Sequence, residues 1–257
     1  MYKYKNYDKI KREGKGVDMA KNVVVKAEKV YGRKKKYSSI KLILSISILV
    51  LALVFIVLGV IYKGGKFTIT LDKRLSSESG IVIYEDSEIK ESKRKLSARD
   101  LEFMDNISID WIPKNIDTES NGSHNGENYI AYTFYIENEG EEAINYWYSI
   151  IIDDVIKNVD EAARVMVYLN GDRRVYAKVN SYTNEPEKDT LPFYSKDEAV
   201  LEQRKDFKPG NIDKFTIVIW LEGDDPDCID NILGGEIKMH MEIREEHKEE
   251  SKNNEKE

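Results

Sequence analysis

Five carboxylates fall within nine residues of the run WLEGDDPDCID: Glu222, Asp224, Asp225, Asp227 and Asp230. Oxygen donors gathered this way suit a hard cation such as Ca²⁺, which takes several carboxylate and carbonyl ligands from acidic loops. The spacing is not that of an EF-hand. Gly-Asp and Asp-Pro are also ordinary turn formers, so the plainer reading of the same residues is a solvated turn. Asp153 and Asp154 form a second acidic pair, and a cation could neutralise both groups if the fold joined them.

Other chemistry finds little footing. The three histidines, His124, His240 and His247, sit in a Gly/Asn/Ser loop, inside a strand-like run and in a charged tail, and no HExxH spacing joins them. There is no G-x-S-x-G, no P-loop and no G-x-G-x-x-G, so neither a catalytic residue nor a nucleotide-binding residue is assigned. Cys228 is the single cysteine. It cannot close an intrachain bridge, and it reads as a buried thiol or as a link between two chains.

The elements that would position such residues are dominated by one apolar run. From Leu42 to Ile61 twenty residues carry no charge, and a helix of that length spans about 30 Å, the thickness of a bilayer core. Upstream lie Lys26, Lys29, Arg33, Lys34, Lys35, Lys36 and Lys41; downstream lie Lys63, Lys66, Lys73 and Arg74. Basic residues stay on the cytoplasmic side, so the excess upstream places the N-terminus inside and the C-terminal part outside. The run is longer than a cleavable signal core and has no A-x-A ending, which makes it a retained signal anchor in the plasma membrane. Charge divides at the same place. Residues 1–41 hold 14 Lys/Arg against 4 Asp/Glu, whereas the whole chain of 257 residues carries a formal charge of −7. Nucleic acid is not needed to explain a basic arm beside a membrane span. The arm also contains VDMAKNVVVKAEKVY, Val17 to Tyr31, which could form a short helix.

Beyond Gly64 and Gly65 the period changes to that of strands. FTITL (67–71), IVIY (81–84), ISIDWI (107–112), YIAYTFYIE (129–137), INYWYSIII (144–152), VMVYL (165–169), RVYAKV (174–179), KFTIVIWLE (214–222) and EIKMHMEI (236–243) are rich in β-branched and aromatic residues. The Asn-Gly pair at Asn170 and Gly171 predicts a tight hairpin. A helix is expected in a short crossover over Val159 to Arg164, and the polar segment 85–99 reads as a loop or exposed helix. The fold class is therefore mainly β, an antiparallel, jelly-roll-like sandwich after one transmembrane helix. The expected organisation is a basic cytoplasmic arm over 1–40, the transmembrane helix over 41–62, a hinge over 63–66, the sandwich over 67–243 and a disordered charged tail over 244–257.

The stretches from YTFYIENEG through RVYAKV, and from FKPGN through WLEGDDPDC to MHMEI, resemble ectodomains of membrane-anchored or exported proteins of low-GC Gram-positive bacteria. The FYIENEG strand and turn is similar to the camelysin and TasA-type biofilm-matrix group. That resemblance implies a β-sandwich at the cell surface that binds or assembles with envelope or matrix components without catalysis. Its alternative implication is a membrane-bound hydrolase of the camelysin metallopeptidase type, for which this chain offers no recognisable zinc motif. Expected partners are the membrane and surface proteins or further copies of the chain, with no small-molecule substrate evident.

Overall fold

A computed structural model describes residues 27–62, 66–101 and 103–245. Most of the basic arm, Gly64 and Gly65 of the hinge, and the tail with His247 lie outside the described residues. The chain divides into two compact units between Lys63 and Gly64.

Among the described residues the first unit contains one helix, α1, Ala27–Tyr62. It begins well before the apolar run and takes in the Lys34–Lys36 cluster, as well as the end of the stretch expected to form a separate short helix. Ser39–Leu58 is long and apolar enough to cross a membrane, and its side chains are exposed throughout. A helix apolar on every side has no polar face to offer to water and needs an apolar surround.

The described residues of the second unit form thirteen strands: β1 (Thr68–Leu71), β2 (Ile81–Tyr84), β3 (Lys95–Ser97), β4 (Asn106–Ile107), β5 (Gly122–Ser123), β6 (Tyr129–Asn138), β7 (Ile144–Ile156), β8 (Ala163–Leu169), β9 (Asp172–Ala177), β10 (Leu191–Pro192), β11 (Glu198–Phe207), β12 (Ile212–Glu222) and β13 (Glu236–Arg244). Two short helices, α2 (Lys73–Ser77) and α3 (Ile116–Glu119), interrupt them. One sheet runs β11-β7-β13-β1-β3 and the other β10-β9-β8-β12-β6-β2, with β4 on β12 and β5 on β6. Pairing is mostly antiparallel, with parallel pairs at β1–β13, β9–β10 and β4–β12.

One core lies between the sheets. Ile69, Tyr148, Ile150 and Met241 from the first meet Phe134, Val165, Phe215 and Ile217 from the second. Tyr148 meets Phe215 edge-on at 5.1 Å between ring centroids, and Phe215 stacks on Phe134 at 5.3 Å. The outer face of the larger sheet is also covered. Ile107, Ile112 and Ile116 pack on Ala131, Met166, Val218 and Trp220. That double burial explains why β8 and β12 read as unbroken apolar runs instead of alternating ones.

Nearly all the predicted strands form, and the Asn170–Gly171 hairpin forms with both residues at positive φ, as a primed turn requires. Three expectations are corrected. ISIDWI is strand only to Ile107 and then turns as a 3-10 segment, Ile109–Trp111, because the Ile109 amide is drawn to Glu222 Oε2 at 3.1 Å. The crossover helix is a single 3-10 turn, Val159–Glu161; Ala163 already pairs with Leu221 in the sheet. Segment 85–99 takes the loop alternative over most of its length and forms no helix, but Lys95–Ser97 supplies β3. β11 was not expected at all.

Candidate functional site

The acidic run leaves the end of β12, and the structure separates its five carboxylates into different jobs. Glu222 is buried and turned back toward the sheet, accepting from Trp220 Nε1 at 3.0 Å and from the Ile109 amide. Asp224 and Asp230 are exposed. Asp225 and Asp227 are buried and face inward. The outermost turn residues thus do not share a site with Glu222.

Asp225 and Asp227 meet a residue that sequence reasoning passed over. With Glu187, which lies between β9 and β10, they bring three carboxylate oxygens within 4.8 Å of one another. Arg164 of β8 forms a buried ion pair with Asp225 Oδ2. Asp225 Oδ1 accepts the Asp227 amide at 2.7 Å. Asp227 in turn holds the segment after β9, accepting the Ser181 amide at 2.8 Å and the Ser181 hydroxyl at 2.5 Å. Glu187 Oε1 accepts from Asn180 Nδ2 at 2.9 Å. Every carboxylate in the group therefore already has a protein donor, and one has a cationic partner. Chemically this is a latch between two loops, hydrogen-bonded throughout but only partly neutralised, with oxygens that could also reach a hard cation.

Two neighbouring features complete this end of the sandwich. Partial burial pulls the Lys178 ammonium down, but hydrogen bonds to Asp160 Oδ2 at 2.6 Å and Glu161 Oε1 at 2.7 Å outweigh it and set its pKa above the usual lysine value. Cys228 is half-buried against Val159, Ala162 and Ile232, and its sulfur accepts from Asn106 Nδ2 at 3.3 Å.

The second acidic pair does not join this group. Asp153 sits in a register shift of β7 opposite Lys238 and Met239, where the extra residue re-aims its side chain onto the outer face of the smaller sheet. There Asp153 Oδ2 lies 2.8 Å from His240 Nδ1, and Glu242 Oε1 lies 3.2 Å from His240 Nε2. The ring of His240 is thus held between two carboxylates, one at each nitrogen. A polar depression of about 350 Å³ opens around it, lined among others by Lys66, Thr68, Lys95 and Lys238. The other described histidine, His124, is tied to the backbone carbonyls of Gly122 and Ile116 at 3.0 and 3.2 Å. Neither histidine belongs to the carboxylate group.

Arg164 did leave a trace in the sequence, as the one charge inside an apolar strand, and a buried charge requires a partner. Glu187 left none.

No family model matches the chain, and no curated protein matches it. Among solved structures, β-glucosidase from Kluyveromyces marxianus, in complex with glucose, aligns with 63% of this chain at 13% identity and a TM-score of 0.21. The match spans 15% of that chain. A likeness that slight carries no argument about fold or sugar chemistry.

Proposed function

We propose that this is a single-pass membrane protein of a bacterial surface, held N-terminus inside by α1, whose sandwich lies outside and binds or assembles with envelope components without a reaction of its own. The observation that carries the reading is the wholly exposed apolar stretch Ser39–Leu58 in front of a separate strand-rich unit. The excess of basic residues before the stretch supports the orientation. The likeness of FYIENEG to matrix-forming sandwiches agrees with an assembling role.

β11 is the natural docking edge. It has ten residues, pairs with β7 on one side, and ends its sheet, whereas the edge strands β3, β2 and β10 have three, four and two residues. An open edge takes up a partner strand through its backbone. Here charged Glu202, Arg204, Lys205 and Asp206 along the strand, with register shifts near both its ends, discourage indiscriminate pairing and favour a partner of matching charge. A photo-crosslinking residue in place of Lys205 in the full chain, in the membrane of producing cells, tests this. The expected result is a discrete adduct with a second copy or an envelope protein, absent when the crosslinker replaces Asp172. Equal adducts from both positions, or none from β11, would sink the proposal.

A further inference from the structure

The first strand of the sandwich fixes the end from which the chain enters. β1 runs parallel to β13, with Thr68 opposite His240 and Leu71 opposite Ile243. β13 starts four residues earlier, at Glu236, so the chain ahead of Thr68 heads for the Glu236 end. Lys66 accordingly lines the same depression as Lys238. Four peptide steps separate Tyr62, the last residue of α1, from Lys66, a reach of at most about 14 Å.

Four other boundaries lie at that end. Ile156 of β7 is opposite Glu236, Leu221 of β12 is opposite Ala163, Arg164 is opposite Ala177 of β9, and Asn106 of β4 is opposite Leu221. The loops that leave from here carry Trp111, Tyr182, Ile229 and Leu233, each 47% to 74% exposed. Ser181 binds Asp227, which places Tyr182 beside the loop that bears Ile229 and Leu233. At the opposite end the connections 139–143, 170–171 and 208–211 hold none of the exposed large apolar residues, and Ile212, 44% exposed at the start of β12, stands there as a single aliphatic side chain with no aromatic beside it in those turns.

We propose that these loop tips insert into the interfacial layer of the membrane crossed by α1, so that the sandwich rests on the lipid surface by its chain-entering end. The inference rests on the reading of α1 as a membrane span. Trp and Tyr favour the headgroup layer, where an apolar ring and a polar atom are both accommodated. The contact is apolar and not charge-driven, because the loops at this end expose Asp110, Glu185, Asp189, Asp224 and Asp230 against Lys157 and Lys188, an acidic excess that offers no attraction to anionic lipid. A neutral bilayer therefore suffices. The latch of Asp225, Asp227, Arg164 and Ser181 then has a purpose: it ties two of the inserting loops together.

The test uses the full chain in phosphatidylcholine vesicles, with Cys228→Ser and one nitroxide label at a time on Leu233→Cys, Tyr182→Cys, Lys208→Cys or Leu51→Cys. Collision with oxygen, which concentrates in lipid, is compared with collision with a water-soluble nickel chelate. Labels at 233 and 182 are expected to favour oxygen severalfold over the label at 208, with 51 favouring it most. If 51 reads as lipid but 233 and 182 read like 208, the inference fails while the span stands. If 51 itself reads as water, the span fails and the inference with it. Lipid-like readings at 208 equal to those at 233 would also overturn it, since the contact would then have no preferred end.

Discussion

At one end of the sandwich the connections β6–β7, β8–β9 and β11–β12 have two to five residues; at the other, β7–β8, β9–β10 and β12–β13 have six to thirteen. The short end is closed by side chains that satisfy backbone. Asn138 is fully buried, donates to the carbonyls of Glu142 and Phe207, and accepts the Gly140 amide. A Cβ at Gly140 would stand 2.1 Å from the Ser79 carbonyl oxygen, so only glycine fits that turn. Asp213, also buried, accepts from Tyr146, Arg204 and Asn170 and ties three connections together. The long end has a comparable latch inside, around Arg164 and Asp225, yet exposes aromatic and aliphatic tips outside. Long loops ordered by buried charge and tipped with apolar groups are the features on which the proposed membrane contact rests.

The strongest expected effect concerns the core between the two ends. Burial, reinforced by the neighbouring Glu137, Glu85, Asp213 and Glu202 carboxylates, pushes the hydroxyls of Tyr84, Tyr132, Tyr146 and Tyr176 up, that of Tyr176 to about 12; burial and the Tyr176 hydroxyl do the same to Tyr148. Unfolded tyrosines lose their proton near pH 10, so the stabilisation is complete below that pH and disappears as pH rises through the folded values. Stability should fall by about 1.4 kcal/mol per pH unit for each such hydroxyl above pH 10. Urea midpoints measured from pH 8 to 12 check this, and Tyr146→Phe should flatten the slope. A midpoint that stays level to pH 12 would contradict it.

Breaking each end compares the two latches. Arg164→Met strands a buried Asp225 carboxylate and should cost about 3–5 kcal/mol. Asp213→Ala at the short end leaves the Tyr146 hydroxyl and Asn170 amide without their acceptor and should cost about 2–3 kcal/mol, because Arg204 is partly exposed and recovers water. Thermal unfolding of both variants ranks them, and the reverse order would mean that the long end is the looser one. Replacing Leu233 and Tyr182 with Ser should change stability by less than about 0.5 kcal/mol apiece, since both are exposed. The smallest effect is expected from Ca²⁺. Arg164 already supplies positive charge to the Glu187–Asp225–Asp227 group, so millimolar Ca²⁺ should leave Tm nearly unmoved. A clear rise that disappears in Asp227→Asn would make the latch a metal site instead.

The sequence makes the core strands legible because each fills a two-sided apolar environment, as YTFYI and FTIVIW do. β11 escaped notice for the opposite reason. It is an edge strand, EAVLEQRKDF, whose charges blur the alternation that marks a strand. ISIDWI has the composition of a strand, but a carboxylate 113 residues away captures the Ile109 amide and turns it. The site was half visible: local clustering points to Asp225 and Asp227, while the partners that decide their chemistry, Arg164, Ser181 and Glu187, come from distant segments that only the sheet pairing brings near.

The central claim is that the sandwich stands outside the membrane with the basic arm inside. In the Cys228→Ser background, single cysteines at Lys208 in the short-end turn and at Lys15 in the arm can be challenged with a membrane-impermeant maleimide on intact cells producing the full chain. The account predicts labelling of position 208 in intact cells and of position 15 only after permeabilisation. Labelling at 15 in intact cells with 208 protected would contradict it.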